Sequence, residues 1–303
     1  MCIRDSLALM RGVSESLAGR AVYLDLWPLT AGELRGEGRG GRWSELFEAS
    51  FEEWPEAVAG GSPETGWRER ARIGGYPVPA HELDDDGDRA LWFRGYTQTY
   101  LERDLQALSS VSSLADFRRL MRVVALRIGG LENQADMARD AGVPQSTAHR
   151  WLGLLETSYQ LVRLPSYAVN RTKRLVKSPK VYWSDPGLAL ALADEVPRGA
   201  HLENLVLCDL LAWRDAELRS PQVLYWRTRT GEEVDFVIER GDELVAIEVK
   251  ATSRPRFGDT RHLRTFRDEY GDRVRGALLL HDGHAVERIT GGVWALPWWR
   301  LLL

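Results

Sequence analysis

Gly231-Glu-Glu-Val-Asp-Phe-Val-Ile-Glu-Arg-Gly-Asp-Glu-Leu-Val-Ala-Ile-Glu-Val-Lys250 is the stretch whose reading decides the fold. Two alternating, β-branched segments, Glu233 to Glu239 and Glu243 to Lys250, flank Arg240-Gly241-Asp242, which predicts a β-hairpin. With Gly241 and Asp242 as the turn, Arg240 pairs with Glu243, and stepping outward Asp235 falls opposite Glu248. Opposed side chains lie about 4.5–5.5 Å apart at Cβ. Lys250, two residues past Glu248, shares its face. Like charges in opposition are destabilising and call for compensation. A divalent cation such as Mg²⁺, commonly held by one or two carboxylates and waters, is one solution; Lys250 itself is the other.

Working outward, an apolar helix is expected over about 200–213, carrying Glu203, then a strand at Val223–Thr228. The hairpin follows, then a helix near Asp259–Tyr270 and a strand over Val274–Leu280. An Asp followed by Glu-x-Lys on adjacent strands, in this element order, resembles the restriction-endonuclease-like (PD-(D/E)XK) nucleases. The resemblance implies an αβββαβ fold. It further implies that Asp235 and Glu248 are metal ligands, with Lys250 polarising the attacking water or the phosphate and Glu203 as an additional catalytic acid. Metal would supply a low-pKa water and neutralise phosphate charge. The alternative is that Lys250 bridges the carboxylates at a sheet edge with neither metal nor reaction.

Upstream, residues 114–170 read as a winged helix-turn-helix. Phe117, Leu120, Met121, Val124 and Leu126 mark a first helix, Asn133 to Gly142 a second, and Gln145 to Glu156 a third with Trp151, Leu152 and Leu155 inward. A Gly-containing turn between helices is the usual mark of the motif. Gln145, Ser146, Thr147, His149 and Arg150 form the outward set, and such a helix reads DNA through its N-terminal residues. Many winged helices make only protein contacts, so both uses stay open. The following run to Lys180 carries Arg163, Arg171, Lys173, Arg174, Lys177 and Lys180 and no acid, in a chain of net charge −4. Basic groups beside such a motif suit phosphate contacts, or else form a solvated basic strand.

The overall charge argues against global attraction to nucleic acid, so binding must be local. Two cysteines, Cys2 and Cys208, give no disulfide framework or zinc site and fit a reducing, cytoplasmic compartment. No apolar run reaches membrane-span length, and no signal peptide is visible. The twelve tryptophans are scattered and read as core anchors. In the N-terminal part, Ala21 to Leu29 reads as a strand and its exit, 31–44 as a Gly-rich loop, 44–58 as helix, 73–79 as a turn segment, 81–88 as an acidic linker and 89–108 as helix.

Four passages together resemble the prokaryotic AAA-type ATPases that carry a C-terminal domain of unknown function. They are Arg11-Gly-Val-Ser-Glu-Ser-Leu-Ala-Gly-Arg20, Trp27-Pro-Leu29, Lys180-Val-Tyr-Trp-Ser-Asp-Pro-Gly-Leu188, and Tyr225 to Ile238 with Ile247-Glu-Val-Lys250. The resemblance implies an α/β multidomain chain. Its parts are a remnant of the P-loop ATPase core (1–30), a helical linker or lid (31–113), the winged helix-turn-helix with its basic segment (114–180) and the restriction-endonuclease-like domain (181–303). No Gly-Lys dipeptide occurs, so the phosphate-binding loop is missing and the chain looks truncated at its N-terminus. ATP, the cofactor of the intact family, is not expected to bind this chain. Arg20 stands either as the transition-state arginine of the intact ATPase or as a partner of Glu15 or a helix cap. The expected function is the DNA-binding, nuclease-like part of such an ATPase. The alternatives are a non-catalytic DNA-binding or protein-interaction module and an Mg²⁺-dependent nuclease. Oligomer formation is compatible with all three.

Overall fold

The computed structural model describes residues 24–38, 40–99, 113–218 and 221–303. Six short helices open the described chain: α1 (Ala31–Leu34), α2 (Glu45–Glu48), α3 (Trp54–Ala57), α4 (Trp67–Ile73), α5 (Pro77–His81) and α6 (Asp86–Tyr96). The helix expected over 44–58 is broken into pieces, α3 beginning with Pro55 in its first turn, where the missing N–H costs nothing. Residues 73–79 are not a simple turn: α4 ends at Gly74 (φ +71°) and Pro77 starts α5. The acidic stretch is no linker either. Asp85 caps α6 by accepting from the Gly87 and Asp88 N–H groups, and Asp86 and Asp88 sit in its first turn, where negative charge complements the helix dipole. Leu24 to Leu29 form no strand.

Three helices follow: α7 (Leu114–Leu126), α8 (Gln134–Ala141) and α9 (Gln145–Thr157). Ser113 and Asn133 cap the first two, and Gly142 ends α8 in the left-handed region (φ +67°). Phe117, Leu120, Met121, Val124, Trp151, Leu152 and Leu155 are buried together, as their helical spacing requires. Strand β1 (Leu161–Leu164) pairs antiparallel with β2 (Lys180–Trp183), and the segment between them forms a short helix, α10 (Arg171–Val176), rather than a basic strand. Gly129, at φ +78°, lets the chain leave α7 and run alongside β2, donating from its N–H to Val181.

Helix α11 (Pro186–Ala193) is capped by Asp185, which accepts from the Leu188 N–H and from the Gly75 N–H. The rest is a six-stranded mixed sheet in the order β3-β4-β5-β6-β8-β7: β3 (Gln222–Arg227), β4 (Glu233–Arg240), β5 (Glu243–Lys250), β6 (Val274–His281), β7 (Glu287–Thr290) and β8 (Val293–Pro297). Strands β3, β4 and β5 run antiparallel in succession, β6 is parallel to β5 and to β8, and β7 closes the edge antiparallel. Helix α12 (Gly199–Ala216) packs on one sheet face with Phe236, Ile238, Val245, Ile247 and Val249. Helix α13 (Arg261–Tyr270) covers the other, where Leu263 and Phe266 meet Val234, Val237, Leu244 and Ala246. A last short helix, α14 (Trp299–Leu302), ends the chain. No helix among the described residues is long and apolar enough to cross a membrane.

The N-terminal helices are fastened to α12 through a buried acid. Asp209 Oδ1 accepts from the Trp43 indole at 2.6 Å and from the Gly41 N–H at 2.8 Å, while Oδ2 has no partner. Burial pushes this carboxyl up to about 7, against the pull of its two donors and of Arg70. A raised carboxyl favours the fold below its unfolded pKa, and that contribution is lost as pH rises through about 7. The wild-type chain is therefore expected to lose stability between mildly acidic and mildly alkaline pH. Asp209→Asn, which keeps the shared acceptor, should remove roughly 2 kcal/mol of that loss. Urea melts of both chains at the two pH values check this, and equal pH dependence would contradict it.

Candidate functional site

The hairpin forms in the register that its sequence predicts: Gly241 takes φ +65° at the turn, and Arg240↔Glu243 continues through Phe236↔Ile247. There the ladder stops. Between Leu224 and Trp226 the β3–β4 register shifts, which leaves Asp235 in a bulge of β4. Its carboxylate, not its backbone, meets β5, with Oδ2 accepting from the Val249 N–H at 3.0 Å. A bulge re-aims a side chain in this way.

Asp235 Oδ1 faces an ammonium from outside the hairpin. Lys180 Nζ lies 3.1 Å from Asp235 Oδ1, 2.6 Å from Glu233 Oε1 and 3.9 Å from Glu203 Oε2. Tyr182, on the same strand as Lys180, donates its hydroxyl to Glu203 Oε2 at 3.0 Å. Lys250 Nζ binds Glu248 Oε1 at 2.5 Å, and Glu248 Oε2 is buried without a partner. Asp235, Glu248, Lys250 and Glu203 thus come together, as the sequence suggests. The sequence reading lacked Lys180, Glu233 and Tyr182. Lys180 heads the Lys-x-x-x-x-Asp-x-Gly-Leu stretch but looked like one more base in a basic run.

Burial, and then the charge of Asp235, push the carboxyl groups of Glu203 and Glu248 up. Burial alone would pull Lys180 down, but Tyr182, Asp235, Glu203 and Glu233 outweigh it, and the net shift is upward. Lys180 is 1% exposed, and its ammonium stays charged because its neighbours are acids. The position between Glu233, Asp235 and Glu203 where a divalent cation would collect oxygens is taken by Lys180 Nζ. Among the described residues no group of three or more His, Cys, Asp or Glu side chains is arranged to hold a metal. In this arrangement the residues fit an internal ammonium and do not fit Mg²⁺.

A second surface lies on the three-helix unit. Gln145, Ser146, His149 and Arg150 are exposed at the start of α9 and Thr147 is half-buried. His149 Nδ1 lies 3.1 Å from Gln134 Oε1. Arg171, Lys173 and Lys177 are exposed on and beside α10. Arg174 is not: it is buried, pairing through both terminal nitrogens with Glu239 at 2.5 and 3.0 Å and donating to Ala168 O and Gln222. Arg163 is likewise committed, to Glu132 and Glu156. Both leave the set available to phosphate. Arg20, and most of the 1–30 segment to which an ATPase remnant was assigned, lie outside the described residues.

Residues 64–198 match a Domain of unknown function (DUF8612), and residues 198–301 match a Domain of unknown function (DUF4143). The carboxylate cluster straddles that seam, with Lys180 and Tyr182 from the first region and Glu203, Glu233, Asp235 and Glu248 from the second. Among curated proteins the chain is similar to the Uncharacterized protein Rv2008c of Mycobacterium tuberculosis and the Uncharacterized protein Mb2031c of Mycobacterium bovis. Each is 31% identical over 252 residues, 80% of this chain and 49% of the relative. The chain therefore spans about half the length of these relatives. No solved structure matches it.

Removing one partner of a buried ion pair leaves a charge without compensation. Arg174→Ala should cost about 3 kcal/mol in urea unfolding, Glu239 keeping the more distant Arg273 and Arg171 as cationic neighbours. Exposed Lys173→Ala, one residue away, should stay within about 0.5 kcal/mol of wild type. Equal small effects from both would show that the Arg174–Glu239 pair is not buried.

Proposed function

We propose that this chain is the DNA-binding part of an AAA-type ATPase, in which a winged helix-turn-helix is joined to a restriction-endonuclease-like domain. The observation that carries this reading is the exposed set Gln145, Ser146, His149, Arg150, Arg171 and Lys173. Arg150, Arg171 and Lys173 are all exposed, Arg171 acting on Glu239 only through space, in a chain that is acidic overall. Three helices, with α9 following the Gly142 turn, and the β1–β2 pair behind them support the winged-helix reading. Residues at the start of α9 would meet base edges in the major groove, and the basic groups of α10 would contact phosphates. The resemblance of the flanking passages to the ATPase family supports reading this surface as the neighbour of a nucleotide-driven module; in that reading ATP belongs to the module and not to the residues of this surface.

For the second region, the helix, three antiparallel strands, helix and parallel strand from α12 to β6 support a restriction-endonuclease-like reading. Its use here is non-catalytic. Lys180 counts against an Mg²⁺-dependent nuclease, because its ammonium occupies the space that the metal would need.

Duplex binding by the full chain, followed by fluorescence anisotropy over a range of salt, tests the proposal. Each phosphate contact contributes about 0.9 to the slope of log K against log salt. Replacing Arg150, Arg171 and Lys173 together by Ala should lower that slope by about 2–3. An unchanged slope, or no duplex binding by the wild type at low salt, would overturn it.

A further inference from the structure

We infer that Lys180 is a built-in counter-cation that keeps divalent metal out of the carboxylate pocket, and that neutralising this one side chain opens a metal site. The inference stands on the pocket alone and is independent of the DNA surface.

Lys180 cannot readily swing away. Its backbone is flanked on both sides: it pairs with Leu164 across the β1–β2 ladder, and it bridges Leu131 on the opposite edge. Its side chain is buried and passes near the Tyr225 ring, with Nζ 6.0 Å from the ring centre. At its tip, Nζ takes oxygens from Glu233 and Asp235 and lies within ion-pair distance of Glu203. A divalent cation set among those oxygens would sit against a buried positive charge, and like charges at such separations repel strongly in a medium of low dielectric.

The remaining groups supply oxygens, although with Lys180 in place no three of them are arranged to hold a metal. Glu248 Oε2 is buried and accepts from no donor. Asp235 Oδ2 is fixed by the Val249 N–H, which leaves Oδ1 directed at Lys180. With the ammonium gone, oxygens from Glu203, Glu233 and Asp235 lose their shared cation, beside the unpartnered Glu248 oxygen. Carboxylate oxygens are the ligands that hard divalent cations take. Lys250 remains on Glu248 and Arg227 on Glu233, so the carboxylate freed outright is that of Asp235.

The test titrates the full chain with Mn²⁺, read by electron paramagnetic resonance of free Mn²⁺ and by the shift in melting temperature. Wild type should show no saturable site below about 1 mM and no metal-dependent stabilisation. Lys180→Met should bind one Mn²⁺ at least about tenfold more tightly than wild type, and its melting temperature should rise with metal. Adding Asp235→Asn to that variant should abolish both effects. If Lys180→Met does not fold, Lys180→Gln, which keeps a donor toward Glu233, is read in its place. A folded Lys180 variant that binds no better than wild type overturns the inference. So does a single tight Mn²⁺ site in wild type that Asp235→Asn removes, and that arm needs no Lys180 variant at all.

Discussion

A buried ammonium holds this structure together at its seam. Lys180 belongs to a strand that pairs with the three-helix unit, yet its charge is neutralised by Glu233 and Asp235 of the large sheet and approached by Glu203 of α12. Taking a charge out of water costs several kcal/mol unless it is paired and hydrogen-bonded. Neither half can meet that requirement alone: without the sheet, Lys180 would be an unpaired buried cation, and without Lys180 the sheet would carry crowded carboxylates. Arg174 repeats the device a turn away, reaching from α10 to Glu239 on the same strand β4. Two buried cations from one connection therefore dock it on the sheet, and a main-chain bridge between Ser166 and Tyr225 adds to them.

The hairpin register makes this possible. A slip by one residue would invert every side chain of β4 relative to β5. The turn at Gly241-Asp242 fixes the pairing, and the bulge in β4 then turns the Asp235 carboxylate toward Lys180 and the Val249 N–H. The like-charge problem posed by Asp235 and Glu248 is thus met by two lysines. One, Lys250, is local and visible beside Glu248; the other arrives from 55 positions upstream of Asp235.

That contrast explains what could be read from the sequence. Local signals were legible: the Gly241 turn, the helix stop at Gly142 and the apolar spacing of Phe117, Leu120, Met121 and Val124 all act within a few residues. Long-range ion pairs were not, because a basic side chain carries no mark of whether an acid waits for it. Arg174 and Lys180 therefore looked like Arg171 and Lys173, although the first two are buried and the last two exposed. The acidic stretch before α6 misled in the opposite sense, since Asp85 makes the same composition a helix start. Strands β7 and β8 escaped notice because they are short and separated only by the turn at Gly291-Gly292.

The most direct measurement is a double-mutant cycle between Lys180→Met and Asp235→Asn, with stability read by urea unfolding of the full chain. If the buried ammonium compensates the pocket, Lys180→Met alone is strongly destabilising and Asp235→Asn recovers part of the loss. The coupling energy should exceed about 1.5 kcal/mol. Effects that add to within about 0.5 kcal/mol would contradict it, because the two side chains would then not share a charge.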